Sequence, residues 1–243
     1  MKTIVAIGSG ELRQLETLAI DEEIVRLSAK LRPRALFLPT ASGDSKGYWE
    51  AFRAIYGDRL GCRPEVLWTF KNRPDKAEIA EKILGSDLIY VGGGNTLRMM
   101  RIWRKLGTDR LLLQAYHRGV VLSGLSAGSI CWFRWGQSDS RKFAAGDRSW
   151  EYIRVRGLGI IPAAHSPHFD SQERRLGFPR MIAKHGGVGI ALDRCCALVC
   201  KDDRYSVLSA RAGAGAYRLR RFRGGIVTEA IPESGDLQDL CSE

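Results

Sequence analysis

A serine flanked by glycines follows an apolar segment near the middle of the chain. Ser126 lies within residues 124–128 (Gly-Leu-Ser-Ala-Gly), directly after the apolar run 120–122. A strand that turns sharply into a helix exposes the side chain at the turn, and small neighbours are required because the backbone is crowded there. The pattern favours a nucleophile elbow with Ser126 as the attacking hydroxyl. An ordinary Gly/Ser loop between a strand and a helix is the alternative.

A serine nucleophile needs a base, and two histidines occur in residues 165–170 (His-Ser-Pro-His-Phe-Asp). His168 follows a proline that fixes the turn, so we expect it to be the general base, while His165 is a core or supporting residue. A metal site made of His165, His168 and Asp170 has no evident remote third ligand. We therefore expect neither a metal nor another cofactor.

Three glycines begin the segment 92–96 (Gly-Gly-Gly-Asn-Thr), which precedes a helical pattern. Glycines let backbone N–H groups approach a ligand closely. This turn and the amide of Ala127 are candidates for the two halves of an oxyanion hole. A phosphate or nucleotide loop and a plain tight turn are the alternatives. Residues 8–10 (Gly-Ser-Gly) lack the third glycine of a dinucleotide-binding fingerprint.

The elements that would position these residues alternate between short apolar runs and helical spacing. Strands are predicted at 3–7, 34–38, 65–68, 88–91 and 120–122, and helices at 12–31, 48–56, 75–84, 97–106, 111–118 and 127–135. This alternation predicts an α/β fold, a mostly parallel sheet covered by helices on both faces. After about residue 200, shorter segments separated by glycines predict a C-terminal antiparallel ribbon. No linker or repeat is evident, so a single domain is expected over 1–243.

Composition narrows the class of protein. The 243 residues are 44% hydrophobic, which is ample for a globular core, and no apolar stretch approaches the length of a membrane span. The net charge of +11 is distributed among acidic neighbours, which argues against nucleic acid as a partner and suits small acidic substrates. Six cysteines without a Cys-x-x-Cys spacing are expected to be reduced. A soluble, cytoplasmic protein without a membrane partner is predicted, and a homodimer is one open oligomeric state.

Three motifs in this order resemble the peptidase E (aspartyl dipeptidase) family of serine peptidases, which includes cyanophycinase. They are residues 90–96 (Tyr-Val-Gly-Gly-Gly-Asn-Thr), 124–128 and 167–169 (Pro-His-Phe). The resemblance extends from Ile4 to about Val199. It implies a three-layer α/β/α sandwich like the class I glutamine amidotransferase domain. It also implies Ser126 as nucleophile, His168 as base, and the amides of Gly94 and Ala127 as oxyanion donors.

The resemblance also implies an acidic residue downstream of the histidine. Asp193 occupies that place, where characterised members have glutamate, and Asp139 is the rival. Members that act on aspartyl peptides bind the substrate carboxylate with arginine near the histidine; here Arg174 is the match and Arg175 the alternative. Asn95, in the glycine-rich turn, is a further expected substrate contact.

The expected activity is hydrolysis of small peptides, mainly dipeptides with an N-terminal acidic residue, through an acyl-enzyme. Two other functions stay open from the sequence. One is a related amidase, amidotransferase-like or esterase activity on another acyl substrate. The other is a non-catalytic module whose glycine turns hold a phosphorylated ligand.

Overall fold

The computed structural model describes residues 1–71, 74–145, 149 and 151–243. The strands are β1 (Thr3–Ile7), β2 (Arg34–Leu38), β3 (Arg63–Val66), β4 (Leu88–Val91), β5 (Val121–Leu125), β6 (Phe133–Ser138), β7 (Ile153–Arg156), β8 (Ile161–Ser166), β9 (Gly189–Leu192), β10 (Cys196–Lys201), β11 (Arg204–Ser209), β12 (Ala216–Phe222), β13 (Gly225–Ala230) and β14 (Ser234–Asp236). The α-helices are α1 (Leu18–Leu27), α2 (Lys46–Phe52), α3 (Lys76–Leu84), α4 (Thr96–Leu106), α5 (Thr108–His117), α6 (Ala127–Ile130), α7 (Lys142–Ala145), α8 (Gln172–His185) and α9 (Leu237–Cys241). A 3-10 turn at Leu12–Gln14 precedes α1, and a π-helical segment at Arg53–Arg59 follows α2.

The strands of the described residues form two sheets. The larger sheet has the order β14-β11-β10-β1-β5-β4-β2-β3, and its strands from β1 to β3 are parallel. The smaller sheet has the order β13-β12-β9-β8-β6-β7, with β6, β8 and β9 parallel. The predicted α/β fold with a mostly parallel sheet is confirmed. The second sheet is an addition that the sequence pattern did not predict.

The second sheet begins where the sequence pattern predicted a helix. The prediction that a helix extends to Trp135 was wrong, because α6 ends at Ile130 and β6 begins at Phe133. Phe133 and Trp135 are buried while Arg134 between them is exposed, which is the alternation of a strand. The antiparallel ribbon divides between the sheets: β10 pairs with β1, whereas β12 pairs with β9.

The two faces of the larger sheet carry different layers. Alternate side chains of β1 point to opposite faces, as strand geometry requires. Val5 and Ile7 belong to a core that includes α1 and α2, and Ile4 and Ala6 belong to a core shared with α3, α4, α5 and the smaller sheet. No helix of the described residues is long and apolar enough to cross a membrane.

Candidate active site

Ser126 lies at the sharp turn between β5 and α6. Its backbone has φ 57° and ψ −108°, a conformation that a residue with a Cβ atom adopts only under strain. The glycines beside it are required by space. A Cβ atom on Gly124 would lie 2.3 Å from the carbonyl oxygen of Gly128, and one on Gly128 would lie 2.1 Å from the carbonyl oxygen of Val91. The segment therefore has the geometry of a nucleophile elbow, with Ser126 half-buried at its tip.

His168 lies in the turn that follows β8 and contacts Ser126 directly. Its Nε2 atom is 2.7 Å from the Ser126 Oγ atom, so the hydroxyl donates to the ring when Nδ1 carries the imidazole hydrogen. Burial, and secondly the positive charge of Arg174, lower the pKa of His168 from 6.5 to about 4. The ring is therefore neutral near pH 7 and free to accept a proton.

Ser126 and His168 line a cavity of about 620 Å³. The 3-10 turn after β1 forms one wall, and α2 with its N-cap Ser45 forms another. The lining residues are Gly10, Glu11, Leu12, Arg13, Gln14, Ser45, Gly47, Tyr48, Ala51, Gly93, Leu125, Ser126 and His168. This wall could not be predicted from the sequence, because Glu11, Arg13 and Tyr48 belong to no recognisable motif and reach the site only through the sheet order.

The glycine-rich turn brings Gly93 to the serine. A Cβ atom on Gly93 would lie 3.5 Å from the Ser126 Cβ atom, and Gly93 lines the cavity. Its N–H donates a hydrogen bond to the hydroxyl oxygen of Tyr48 at 3.5 Å, a partner that it would have to exchange in order to bind an oxyanion. Gly94 has φ 135° and packs against Ala41, whose carbonyl oxygen would be 2.3 Å from an added Cβ atom. The sequence could not show which of three consecutive glycines faces the serine.

Ala127, the other expected oxyanion donor, is the first residue of α6 and is almost fully buried. Its backbone N–H belongs to the first turn of that helix, where amides have no partner within the helix. The oxyanion roles of Gly94 and Ala127 stay predictions. Gly93 becomes a third candidate donor because of its position beside Ser126.

The two candidate aspartates lie in different surroundings. The Oδ2 atom of Asp193 accepts hydrogen bonds from the Gly215 amide at 3.1 Å and the Tyr217 hydroxyl at 3.2 Å, and Arg175 lies 3.5 Å from Oδ1. The Oδ2 atom of Asp139 is 3.7 Å from the Nη2 atom of Arg174. The negative charge of Asp139 raises the pKa of His168 and so opposes the effect of burial. Among the described residues, neither carboxylate forms a hydrogen bond with His168, and the acid stays a prediction for both.

Neither expected carboxylate-binding arginine lines the cavity. Arg174 is 3% exposed, donates to the carbonyl oxygen of Gln137 at 2.6 Å, and stacks on the ring of Tyr152 at 4.7 Å. Arg175 lies over the rings of Phe169 and Tyr217, at 5.2 Å from each. These guanidinium groups contact other parts of the protein, so their positions give no support to a substrate-binding role.

Asn95 caps the helix that follows the glycine turn. Its Oδ1 atom accepts from the Arg98 amide at 2.9 Å, and its Nδ2 atom donates to the carbonyl oxygen of Ser140 at 3.3 Å. Both ends of the side-chain amide are therefore engaged, and the residue does not line the cavity. This is the N-cap role in which asparagine is favoured. The expected substrate contact of Asn95 stays a prediction without support from its position.

His165 supports the elbow from the core. It is fully buried, its Nδ1–H donates to the Ile190 carbonyl oxygen at 2.9 Å, and its Nε2 atom is 2.9 Å from the Ser129 hydroxyl. That hydroxyl is also 2.7 Å from the carbonyl oxygen of Ser126. Burial lowers the pKa of His165 to about 3, so its ring is neutral. The position matches the expected supporting role.

Comparison with known proteins defines the class of enzyme to which this site belongs. The model of Peptidase family S51 matches residues 4–208, and the chain belongs to that family. It is 37% identical to the "Uncharacterized peptidase YgaJ" of Bacillus subtilis (strain 168) over 236 residues, which are 96% of this chain and 98% of that protein. The resemblance inferred from the motifs is confirmed, and so is the prediction that the chain is a peptidase.

Two solved structures have a similar fold. A peptidase from an acI-B1 Actinobacterium superposes with a TM-score of 0.73 at 21% identity and covers 97% of each chain. A putative peptidase E protein from Listeria monocytogenes EGD-e gives a TM-score of 0.66 at 21% identity, over 86% of this chain and 98% of that one. At this level of identity the similarity establishes the fold.

Proposed function

We propose that the chain is a serine peptidase that cleaves small peptides, mainly dipeptides with an acidic first residue, through a Ser126 acyl-enzyme. The observation that carries the proposal is the 2.7 Å contact between Ser126 Oγ and His168 Nε2 at an elbow facing a cavity. The size of the cavity suits a ligand of a few residues. Family membership supports the peptidase class.

The reaction follows from this geometry. Ser126 Oγ attacks the carbonyl carbon of the substrate while His168 accepts the hydroxyl proton, and backbone amides near Gly93 and Ala127 stabilise the oxyanion. His168 then donates that proton to the departing amine, and the C–N bond breaks. A water molecule, deprotonated by His168, attacks the acyl-enzyme, and its proton returns to Ser126 as the acid is released.

A panel of dipeptides that differ in the first residue tests the proposal, with products followed by mass spectrometry. Asp-Leu and Glu-Leu are expected to be cleaved, with Asn-Leu, Ala-Leu and Lys-Leu as neutral and basic controls, and Ser126→Ala is expected to be inactive on all of them. Cleavage of esters or of glutamine in place of dipeptides would transfer the function to another acyl substrate. Dipeptide cleavage that survives in Ser126→Ala would contradict the mechanism.

We also propose a cytoplasmic location. All six cysteines are free thiols, and five of them are buried. Free, buried thiols are typical of proteins that work in reducing compartments. Fractionation of cells that express the tagged protein tests this proposal, and recovery of the chain outside the cytoplasm would contradict it.

A further inference from the structure

The cavity wall formed by the 3-10 turn after β1 contains an arginine with no counterpart in the motifs. Arg13 lies in the 3-10 turn between β1 and α1, exposed to solvent, and lines the same cavity as Ser126 and His168. Arg13 is the only arginine or lysine among the described residues that line this cavity. Glu11 lines the same cavity, so its charge offsets that of Arg13 and the lining as a whole has no net positive charge. Attraction of an anionic ligand would therefore come from direct contact with the guanidinium.

Local contacts hold Arg13 in place. The carboxylate of Glu11 accepts a hydrogen bond from the Arg13 amide at 3.3 Å, which fixes the start of the turn. The Arg13 Nη2 atom donates to the carbonyl oxygen of Gly47 at 2.6 Å, across the cavity wall on α2. The guanidinium is therefore anchored at one corner before any ligand binds.

The rest of the guanidinium is available. A guanidinium has five N–H donors, and the Gly47 carbonyl uses one of them. In the described part of the chain, no carboxylate lies within ion-pair distance of Arg13. Arg174 and Arg175, by contrast, each lie within 4.0 Å of an aspartate. An anchored guanidinium without an internal counter-ion is suited to bidentate binding of a carboxylate.

Gly47 makes this anchoring possible. A Cβ atom at this position would lie 2.7 Å from Arg13 Nη2, so any larger residue would displace the guanidinium. Glycine within a helix costs about 0.5–1 kcal/mol relative to alanine, and Gly47 is the second residue of α2. Space for Arg13 is a physical reason for glycine there.

We propose that Arg13 is a specificity-determining residue that binds a carboxylate of the substrate while Ser126 attacks the peptide bond. The inference rests on the proposed peptidase function and names the residue that selects its substrates. An acidic dipeptide offers this group twice, in the side chain of its first residue and at its C-terminus. Both sources present the same chemistry to the guanidinium.

The test measures kcat/KM of wild type, Arg13→Met and Arg13→Lys on Asp-Leu, Asn-Leu and the C-terminal amides of both dipeptides. Loss of a charge-assisted hydrogen bond costs about 1.5–3 kcal/mol, which is about 10- to 150-fold in kcat/KM. Arg13→Met is expected to show this loss on substrates that carry the bound carboxylate and less than about threefold on those that lack it. Arg13→Lys should restore part of it.

The pattern of losses identifies the carboxylate. A loss confined to Asp-Leu and its amide assigns Arg13 to the side chain, and a loss confined to the two free acids assigns it to the C-terminus. Equal losses on all four substrates, or no loss on any, would overturn the proposal. Arg53→Met, a substitution of an exposed arginine outside the cavity lining, removes the same charge and is the matched control.

A second variant tests the anchoring without removing the charge. Gly47→Ala keeps Arg13 but displaces its guanidinium, so we expect the same substrate pattern at a smaller magnitude with no decrease in thermal stability. Equal losses on substrates with and without the carboxylate would show that the added methyl group acts by filling the cavity, and would contradict the anchoring.

A binding measurement separates this proposal from the proposed function. Calorimetric titration of Asp-Leu into Ser126→Ala, with and without Arg13→Met, needs no catalysis. If wild type cleaves none of the peptides while Arg13→Met weakens this binding about tenfold or more, the peptidase proposal fails and the carboxylate site stands. If wild type cleaves Asp-Leu and Arg13→Met changes neither cleavage nor binding, the carboxylate site fails alone.

Discussion

The Oγ atom of Ser126 lies 2.7 Å from the Nε2 atom of His168, and this contact joins the two sheets. Ser126 follows β5 of the larger sheet, whereas His168 follows β8 of the smaller one. Both residues have positive φ angles, 57° and 54°. Such conformations cost on the order of 1–3 kcal/mol each and persist where the surrounding structure imposes them. The packing between the sheets therefore positions the reacting pair.

The strained backbone at Ser126 predicts that its alanine and glycine variants lose activity alike but differ in stability. Ser126→Ala removes the nucleophile but keeps a Cβ atom at positive φ, whereas Ser126→Gly relieves the strain. We expect both variants to lose at least about three orders of magnitude in kcat. Ser126→Gly should exceed Ser126→Ala in free energy of unfolding by about 1 kcal/mol, because glycine adopts this conformation without a steric penalty.

Urea unfolding and turnover of Asp-Leu measure the two quantities. A Ser126→Gly variant less stable than Ser126→Ala would show that the turn is not strained. Near-normal turnover in either variant would remove Ser126 from the mechanism.

The lowered pKa of His168 predicts an unusually acidic pH profile. The neutral ring is the active form, and its pKa falls from 6.5 to about 4, mainly because burial disfavours the charged ring. Activity should therefore be retained from neutral pH down to about pH 5 and be lost as pH falls through about 4. An acid limb of kcat/KM with a midpoint near 6.5 would contradict this prediction. Circular dichroism at each pH separates titration from unfolding.

The central strands β1, β2, β4 and β5 of the larger sheet could be predicted from the sequence because they are short, mostly apolar runs between helical patterns. All five residues of β1 and all four of β4 are buried, as expected for strands covered on both faces. The smaller sheet was harder to predict from the sequence. Its strand β6 follows a single helical turn and is rich in aromatic and polar residues, so the sequence pattern predicts a continuation of the elbow helix there.

Ser126 and His168 could be predicted from the sequence because each lies in a short motif at the end of a strand. Arg13 could not be predicted, since its relation to the site depends on the order of strands and on a contact with Gly47, 34 residues away. The role of Asp193 was inferred from its place in the chain, and chain position does not show which groups its oxygens contact.

The contacts of the two aspartates predict which one supports His168. The charge of Asp139 raises the pKa of His168, whereas Asp193 is hydrogen-bonded to Gly215 and Tyr217. We therefore expect Asp139→Asn to lower kcat more than Asp193→Asn, which should lose about tenfold or less. Turnover of Asp-Leu by the purified variants gives the ranking.

The pH profile separates a role through His168 from a structural one. Removing the charge of Asp139 lowers the pKa of His168 further, so the acid limb of Asp139→Asn should move to lower pH, while that of Asp193→Asn stays in place. Asp170 also raises this pKa, and its Oδ1 atom accepts from the Arg194 amide at 2.9 Å. Asp170→Asn is therefore the electrostatic control, expected to shift the limb in the same direction with a smaller loss of kcat than Asp139→Asn. The reverse ranking of Asp139 and Asp193 would assign the role to Asp193.

Asp21, a fully buried residue of α1, predicts a stability effect that is independent of catalysis. Its carboxylate accepts hydrogen bonds from the hydroxyls of Thr17 and Tyr56, each at 2.8 Å. Burial raises its pKa from 3.8 to about 7, against the opposing effect of these two donors. The folded protein thus holds a proton that the unfolded chain releases above about pH 4. The stability from this group is present at low pH and is lost as pH rises through about 7.

Asp21→Asn removes the titration, because the amide is neutral at every pH. The free energy of unfolding of the variant minus that of wild type should therefore increase between pH 4 and pH 8, by up to about 4 kcal/mol. His165 has the opposite dependence, since its lowered pKa makes stability fall as pH drops from 6.5 to about 3, but this contribution cancels in the difference. A flat difference for Asp21→Asn would mean that the carboxyl is ionised in the core at neutral pH, balanced by its two hydroxyl donors.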